Sequence, residues 1–284
     1  MKPSDFESKH VYVVGGSLGI GLAIATRAAR LRSQVTIFAR RKAPLDQAVE
    51  MVSAARTHPT QRVAARQLDV GDPLQVSQVM SEAVAELGAP DVLINCAGRA
   101  YPRRFEDISY EQFADTLRVN LHGCWNTVQA LLPHMKAKGG YIVNTASIAG
   151  LIGVFGYTDY CASKFGLVGF SEALRSELKV YNITVSVLCP PDTDTPGLEA
   201  ENQTKPDETR AISATAKVMS ADAVADALFR GMARRVFLIV PGVDGRIGVL
   251  AKRLFPGVVE RVMDRTIRKV ERRRQRAAST RGAL

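Results

Sequence analysis

Three glycines near the start of the chain impose the strongest constraint on its fold. Gly15, Gly19 and Gly21 follow a short apolar stretch, Val11–Val14, and lead into a helix that we predict over Leu22–Arg32. A strand, a glycine turn and a helix N-terminus together form an anion site. Missing side chains let backbone N–H groups approach a pyrophosphate, and the helix dipole favours its negative charge. The start of the chain therefore predicts a phosphate-binding βα unit.

A tyrosine and a lysine farther along the chain form a second informative pattern. Tyr160 and Lys164 are four residues apart, so on a helix they share one face. A free phenol titrates near pH ~10, so a tyrosine that exchanges protons near neutrality needs a pKa lowered by about three units, or roughly 4 kcal/mol. We expect the Lys164 ammonium and the positive ring of an oxidised nicotinamide to stabilise the phenolate. Most tyrosines and helical lysines are structural, but the glycine turn upstream favours the catalytic interpretation.

Apolar strand-like runs alternate with helical stretches along most of the chain. After Val11–Val14, the predicted strands are Val35–Ala39, Val63–Leu68, Val92–Asn95, Tyr141–Ala146, Thr184–Leu188 and Phe237–Val240. This alternation predicts an α/β fold with a parallel sheet of about seven strands and helices on both faces. A chain of 284 residues, 46% of them hydrophobic, can bury one core. We expect a single domain over residues 1–245 and a basic extension over 246–284.

In this order, the motifs resemble the short-chain dehydrogenase/reductase family, and the resemblance spans residues 8–230. The Asn-Ala-Gly motif of that family reads Asn95-Cys96-Ala97-Gly98 here, with Cys96 as an insertion-like variant. Tyr157 is an alternative catalytic tyrosine, but no lysine lies four residues after it. The resemblance implies a Rossmann-type doubly wound fold. It also implies a catalytic set of Asn120, Ser147, Tyr160 and Lys164.

The choice between NADH and NADPH is usually made just after the second strand, where an acid binds the ribose 2′-hydroxyl or an arginine accommodates a 2′-phosphate. Ala39 stands where the acid would lie, and Arg40 and Arg41 follow it. A guanidinium offers a charge-assisted fork to a phosphate, so we predict NADPH/NADP, with Arg40 contributing most of the preference. Two solvated arginines are the alternative. The full predicted cofactor-binding set is Gly15, Ser17, Gly19, Ile20, Gly21, Arg40, Arg41, Asp69, Val70, Asn95, Ala97, Gly98, Tyr160, Lys164, Pro190, Thr193 and Thr195.

The resemblance also implies a mechanism. Hydride passes from NADPH to a ketone carbon while Tyr160 protonates the oxygen as general acid. Ser147 holds that oxygen by a hydrogen bond, Lys164 orients the nicotinamide ribose, and Asn120 helps hold a water that relays protons to Lys164. A dinucleotide-binding scaffold without catalysis is the contrasting class of function, and the intact catalytic set argues against it.

The segment after the sixth strand, residues 189–210, is expected to close over the substrate. Pro191 replaces the glycine usual in the family, and proline fixes φ and removes an N–H, so the backbone there must be held differently. This segment is similar to the 3-ketodihydrosphingosine reductases, which implies reduction of the 3-keto group of a long-chain sphingoid base. A 3-oxoacyl thioester or another lipid-like ketone is the alternative. Four acids of the segment either attract a substrate ammonium or are simply solvated: Asp192, Asp194, Glu199 and Glu201.

The net charge of +10 is concentrated at the C-terminus. Residues 246–284 hold twelve Lys and Arg and three acids, a net of +9, which leaves +1 for the rest of the chain. A helical apolar stripe follows Pro256 and comprises Val258, Val259, Val262, Met263, Ile267 and Val270. An arginine-rich helix with one apolar face can lie in an anionic membrane interface, so we predict peripheral membrane contact. The alternative is packing on the enzyme or a partner subunit. Nucleic-acid binding is not expected, because no aromatic residues alternate with the arginines.

The remaining expectations come from composition and from the family. Met1–His10 is short, polar and mixed in charge, which argues against a signal peptide. No run of about eighteen apolar residues is present to span a bilayer. Four cysteines without metal-type spacing predict reduced thiols and no metal site. We therefore expect a cytoplasmic enzyme, and the resemblance implies a homodimer or homotetramer formed through helices around Tyr110–Lys138 and Ala162–Tyr181.

Overall fold

The parallel sheet that the alternating pattern predicts is present. The computed structural model describes residues 6–214 and 216–281. The strands are β1 His10–Val14, β2 Gln34–Ala39, β3 Val63–Gln67, β4 Val92–Asn95, β5 Gly140–Thr145, β6 Ile183–Leu188, β7 Thr193–Asp194, β8 Met219–Ser220 and β9 Leu238–Ile239. Within the described ranges, seven of them form one parallel sheet in the order β3-β2-β1-β4-β5-β6-β9. The order reverses beside β1, which opens a crevice at the carboxyl ends of β1 and β4.

Strand β1 shows why the sheet needs helices on both faces. Val11 and Val13 pack into one core, and Tyr12 and Val14 pack into the other, because successive side chains of a strand point to opposite faces. The helices are α1 Gly19–Arg30, α2 Lys42–Ala54, α3 Pro73–Leu87, α4 Tyr110–Leu117, α5 Gly123–Met135, α6 Thr158–Leu178, α7 Pro196–Thr204, α8 Asp207–Ser213, α9 Ala221–Ala233, α10 Val243–Leu254 and α11 Pro256–Arg281. Helices α1, α2 and α9 cover the first core, and α3, α5 and α6 cover the second. The Rossmann-type doubly wound fold is thereby confirmed.

Three helices differ from their predicted extents. The helix expected around Ala162–Tyr181 is α6, which begins four residues earlier and ends three residues earlier. Helix α1 begins at Gly19 rather than at Leu22, because the last glycines of the turn already form its first turn. The helix expected around Tyr110–Lys138 is divided into α4 and α5 by a π-helical turn at Arg118–His122. Such turns insert an extra residue into a helix and often occur at functional sites. Here the turn carries Asn120.

The small sheet formed by β7 and β8 was not predicted from the sequence. Thr193 pairs with Met219 and Asp194 with Ser220. Each strand has two residues, too few to produce a recognisable alternation. This pairing ties the start of the segment over the site to the N-terminus of α9.

The C-terminal extension is helical and lies against the enzyme. The predicted division between residues 245 and 246 falls inside α10, and the predicted start of the last helix at Pro256 is correct. Helix α11 packs on α8 and α10. Of the predicted apolar stripe, Val258 and Val262 are exposed, whereas Val259, Met263, Ile267 and Val270 are half-buried. Among the described residues, no helix is long and apolar enough to cross a membrane.

Candidate active site

The glycine turn closes tightly on the neighbouring strand end and on its own helix. Gly15 has φ +80°, and a Cβ there would lie 2.4 Å from the amide nitrogen of Ala97. A Cβ at Gly21 would lie 2.2 Å from the carbonyl oxygen of Gly15. Larger residues are therefore excluded at both positions. Leu18 precedes α1 without a side-chain cap, so the first N–H groups of that helix are left to a ligand or solvent.

The predicted 2′-phosphate site lies at the carboxyl end of β2. Arg40 and Arg41 are both exposed there, and Arg41 precedes α2. The guanidinium of Arg40 lies 4.0 Å from the carboxylate of Asp69, which itself follows β3. Asp69 also lies 3.6 Å from Arg118 and accepts a 2.9 Å hydrogen bond from the Gly71 N–H. Arg40, Arg118 and Asp69, which is one of the predicted cofactor-binding residues, thus form one surface cluster.

Helix α6 places Tyr160 and Lys164 on one face, and the end of β5 brings Ser147 to them. Lys164 is buried, its Nζ lies 5.6 Å from the centroid of the Tyr160 ring, and it donates a 2.8 Å hydrogen bond to the Thr145 carbonyl. Ser147 caps the short turn Ile148–Gly150 by accepting from the Ala149 N–H. The Ser147 side chain also lies close enough to the Tyr160 phenol to act on its pKa. Three of the four predicted catalytic side chains therefore lie together.

Asn120 completes this group from the π-helical turn. It is fully buried, and its Oδ1 accepts a 2.9 Å hydrogen bond from the Arg99 N–H. Its Nδ2 donates to the Arg99 carbonyl at 2.9 Å and to Ser163 Oγ at 3.0 Å. A Cβ at Gly98 would lie 3.2 Å from Asn120 Oδ1 and 3.4 Å from Lys164 Nζ. Both side chains therefore converge on the Gly98 backbone.

The remaining members of the Asn95-Cys96-Ala97-Gly98 motif position this backbone. Asn95 is buried, donates to Asn144 Oδ1 at 2.9 Å and accepts from Thr127 Oγ1 at 2.8 Å. Its amide is thus bound to β5 and α5 within the core. Cys96 Sγ lies 3.2 Å from Thr145 Oγ1, and burial raises the pKa of its thiol to about 11. The four cysteines are free thiols, and burial likewise raises the pKa of Cys124 and Cys189 to about 12.

The direction of the Tyr160 pKa differs from the prediction. Burial of the phenol raises its pKa above the usual tyrosine value, the Glu201 carboxylate adds to the rise, and the hydrogen bond with Ser147 acts against it. Burial lowers the pKa of Lys164. The side chains of the protein, Lys164 among them, therefore do not together lower the pKa of Tyr160 as predicted, whereas the contribution of an oxidised nicotinamide stays a prediction. With a pKa above the usual tyrosine value the phenol is protonated near neutrality, which is the form that a proton donor requires.

The segment over the site, residues 189–210, comprises β7, α7 and the first part of α8, and we call it the lid. The Pro190 carbonyl accepts from the Ile148 N–H at 3.1 Å, which attaches the lid beside Ser147. Thr193 Oγ1 donates to the Pro191 carbonyl at 2.8 Å, and Thr195 caps α7 by accepting from the Leu198 N–H. A Cβ at Gly19 would lie 3.0 Å from Thr195 Cγ2. The lid therefore reaches the glycine turn.

Sequence reasoning missed several side chains that support the site. The Thr145 carbonyl accepts a hydrogen bond from Lys164, and Ser163 Oγ accepts one from Asn120. A single threonine or serine forms no sequence pattern from which such a role could be predicted. The hydroxyl of Tyr157, the alternative catalytic tyrosine, donates a 2.6 Å hydrogen bond to Glu201 of the lid. Arg104 pairs with Glu208 of α8, a carboxylate that is 2% exposed. Among the described residues, no cluster of His, Cys, Asp and Glu can hold a metal ion.

Comparisons with known proteins agree with this geometry. The short chain dehydrogenase family matches residues 9–206. The chain belongs to that family and is an oxidoreductase of its kind. A 3-ketodihydrosphingosine reductase of Bos taurus is 39% identical and a 3-dehydrosphinganine reductase of Danio rerio is 40% identical, each aligned over 86% of this chain and 74% of the relative. The predicted resemblance to the short-chain dehydrogenase/reductase family is thus confirmed, and so is the predicted resemblance to the 3-ketodihydrosphingosine reductases.

A solved structure shares the fold. It is a short chain dehydrogenase/reductase from Burkholderia phymatum in complex with NAD, 25% identical, with a TM-score of 0.77 over 87% of this chain and 94% of that one. The similarity therefore includes most of both chains.

Proposed function

We propose that this protein is an NADPH-dependent reductase that transfers hydride to the keto group of a long-chain lipid-like substrate, most specifically 3-ketodihydrosphingosine, forming dihydrosphingosine. One observation carries the proposal: the similarity to reductases of that name extends over 86% of the chain, including the lid. The convergence of Asn120, Ser147, Tyr160 and Lys164 beneath the lid is consistent with it.

A nicotinamide dinucleotide fits the observed residues. The glycine turn admits no Cβ at Gly15 or Gly21, and the start of α1 has no side-chain cap, so backbone N–H groups are available to a pyrophosphate. Arg40 and Arg41 are exposed where a 2′-phosphate would lie, which favours NADPH. Asp69 and Val70 would flank the adenine. Thr193 and Thr195 would meet the carboxamide from the lid.

When bound, the cofactor supplies the hydride. Tyr160, kept protonated by burial, donates its proton to the carbonyl oxygen, and Ser147 stabilises the negative charge developing on that oxygen. Lys164 is fixed by the Thr145 carbonyl and lies one turn from Tyr160, where it can bind ribose hydroxyls. Asn120 holds the Arg99 backbone and Ser163 in place beside Lys164. Its proposed water relay to Lys164 is part of the same hypothesis.

A comparison of substrates decides between a 3-ketodihydrosphingosine reductase and the alternative, a 3-oxoacyl thioester reductase. Steady-state kinetics with NADPH should give a kcat/KM for 3-ketodihydrosphingosine at least about tenfold above that for a 3-oxoacyl thioester of equal chain length, or about 1.4 kcal/mol in transition-state binding. A tenfold preference for the thioester would replace the proposed substrate. Absence of NADPH consumption with any ketone would favour a non-catalytic dinucleotide-binding protein.

We also propose peripheral contact with an anionic membrane. Four apolar side chains of α10 are exposed at spacings of four, three and four residues, and therefore share one helix face: Val243, Ile247, Leu250 and Leu254. Exposed Phe255, Val258 and Val262 continue this patch. Basic residues accompany it in α10 and α11, each worth about 1 kcal/mol near an anionic surface. Because α11 packs on α8, the patch lies near the lid, where a membrane lipid would enter.

Vesicle sedimentation tests this contact. Leu250→Ser should reduce binding to anionic vesicles, whereas Leu74→Ser should not, because Leu74 is equally a surface leucine, 82% exposed, but belongs to α3. Equal sedimentation of wild type and Leu250→Ser would contradict the proposal. Cytoplasmic localisation stays a prediction.

A homodimer or homotetramer through α5 and α6 is the remaining proposal. Trp125 of α5 and Phe165 of α6 are about half exposed, at 53% and 44%, so each leaves apolar surface that a second subunit could cover. Light scattering should give at least a dimer at micromolar concentration. A Phe165→Ser variant should shift the protein toward the monomer, and a wild-type monomer would contradict the proposal.

A further inference from the structure

The four acids of the lid occupy very different surroundings. Asp194 and Glu199 are exposed to solvent. Asp192 is paired with Lys205, whose ammonium lies 3.2 Å from it and is buried. Glu201 is half-buried, and its Oε2 accepts a 2.6 Å hydrogen bond from the Tyr157 hydroxyl. Glu201 is therefore the lid acid that is directed toward the site.

Tyr157 connects this carboxylate to the catalytic tyrosine. The rings of Tyr157 and Tyr160 pack with centroids 5.5 Å apart, and Glu201 is bonded to the hydroxyl of the first ring. Its charge acts on the catalytic residues: it contributes to the raised pKa of Tyr160 and opposes the lowered pKa of Lys164. The carboxylate thus lies close to the atoms where a carbonyl oxygen would be protonated.

A carboxylate in this position needs a cation. Burial raises the pKa of Glu201, and Asp192 adds to the rise, while the Tyr157 hydroxyl, Lys205 and Lys164 oppose it. Lys205 is already paired with Asp192, and Lys164 is bonded to Thr145. One hydrogen bond from Tyr157 leaves acceptor capacity on the carboxylate. A positive group placed beside it would offset the cost of desolvating the charge.

We propose that Glu201 forms a subsite for a primary ammonium group borne on the carbon next to the keto carbon of the substrate. The inference rests on the proposed function, because 3-ketodihydrosphingosine carries its ammonium on that carbon and a 3-oxoacyl thioester has no cation there. In this proposal the keto oxygen is held by Tyr160 and Ser147, and the neighbouring ammonium is placed on the side of Tyr157 and Glu201. The subsite therefore selects amino ketones over neutral ketones of the same chain length.

The test compares two substrates on matched variants. Wild type, Glu201→Gln and Glu199→Gln are assayed with NADPH on 3-ketodihydrosphingosine and on the corresponding ketone that lacks the amino group. Glu201→Gln keeps the shape and the acceptor for Tyr157 but removes the charge. It should raise KM for the amino ketone by about tenfold or more and leave the KM for the neutral ketone nearly unchanged. Glu199→Gln, on the exposed side of the same helix, should change neither.

Two failures are distinguishable. If wild type reduces the amino ketone and Glu201→Gln loses activity equally on both ketones, Glu201 only positions the lid and the ammonium subsite is wrong. If wild type does not reduce the amino ketone, the proposed function is wrong, and the ammonium subsite, which rests on it, is wrong as well. A Tyr157→Phe variant separates the hydrogen bond from the charge, because it retains the carboxylate and should keep the preference for the amino ketone.

Discussion

The lid and the sheet and helices beneath it, which we call the body of the site, are held together by different forces. In the body, neutral amides and hydroxyls bond to one another inside the core: Asn95 to Asn144 at 2.9 Å, and Asn144 to Ser171 Oγ at 2.9 Å. Helix α7 of the lid has no fully buried side chain along its described length. The contacts of the lid include two ion pairs, Arg104 with Glu208 and Lys205 with Asp192.

This difference suggests a division of labour. A fully bonded polar network inside a core is rigid, because each buried group that loses its partner costs free energy. A short segment held by a few polar contacts can open at much lower cost. The groups proposed to transfer the proton therefore lie on rigid elements, and the groups proposed to select the substrate lie on the element that can move.

The largest expected effect lies in the body. Tyr160→Phe removes the proton donor but keeps the ring, so kcat should fall by about 10²- to 10⁴-fold. Cofactor binding, followed by NADPH fluorescence, and thermal stability should be unchanged. Loss of NADPH binding in this variant would contradict the separation between proton transfer and cofactor binding.

The next effect tests the lid. Arg104→Met leaves the Glu208 carboxylate without its partner, and breaking a buried ion pair costs about 3–5 kcal/mol if the lid stays closed. Because the lid can open locally, we expect a raised KM and faster hydrogen exchange in α8, with little change in global thermal stability. Arg103→Met is the control, since Arg103 is exposed and contacts Gly156 only through its backbone N–H. A large loss of thermal stability would show that the lid unfolds together with the body.

The predicted 2′-phosphate site at the carboxyl end of β2 should control the preference for NADPH over NADH independently of the lid. Arg40→Asp should shift the ratio of kcat/KM for NADPH to that for NADH by about tenfold to a hundredfold toward NADH, because a charged hydrogen bond is replaced by repulsion. Arg41→Asp should have the smaller effect. An unchanged ratio in Arg40→Asp would refute the role assigned to this residue.

Substitution of one asparagine in the body and one in the lid compares how much each region contributes to the free energy of unfolding. Asn144→Ala breaks the buried amide network and should lower the free energy of unfolding by about 1–3 kcal/mol. Asn202→Ala, on the exposed side of α7, should leave it nearly unchanged. Calorimetry or denaturant unfolding measures both, and equal losses would remove the contrast drawn between body and lid.

The smallest effect is a pH dependence that arises in the lid. The Glu201 pKa is raised by burial, and only the carboxylate form attracts an ammonium. The kcat/KM for the amino ketone should therefore be highest above this pKa and decline as pH falls through it, at a pH above the usual glutamate value of about 4.3. Glu201→Gln should remove this acidic decline, and its persistence in that variant would assign it to another group.

Several features could be predicted from the sequence because they depend on local patterns. We predicted the glycine turn, the shared helix face of Tyr160 and Lys164, and most strand positions. The ends of the strands differ from the prediction by one or two residues. The pairing of β7 with β8 could not be predicted, because two-residue strands have no periodicity. The π-helical turn at Arg118–His122 was also missed, since helical spacing does not reveal one extra residue.

The sequence by itself determined the class of fold and predicted the residues of the catalytic set, because a turn, a helix face and a buried strand each leave a pattern within a few neighbouring residues. Tertiary structure alone decided what surrounds those residues. Tyr157 meets Glu201 across 44 positions of sequence, and Asn120 meets Ser163 across 43. Burial, together with Glu201, also reversed the expected direction of the Tyr160 pKa. Desolvation and long-range partners depend on how distant elements pack, and no local pattern records them.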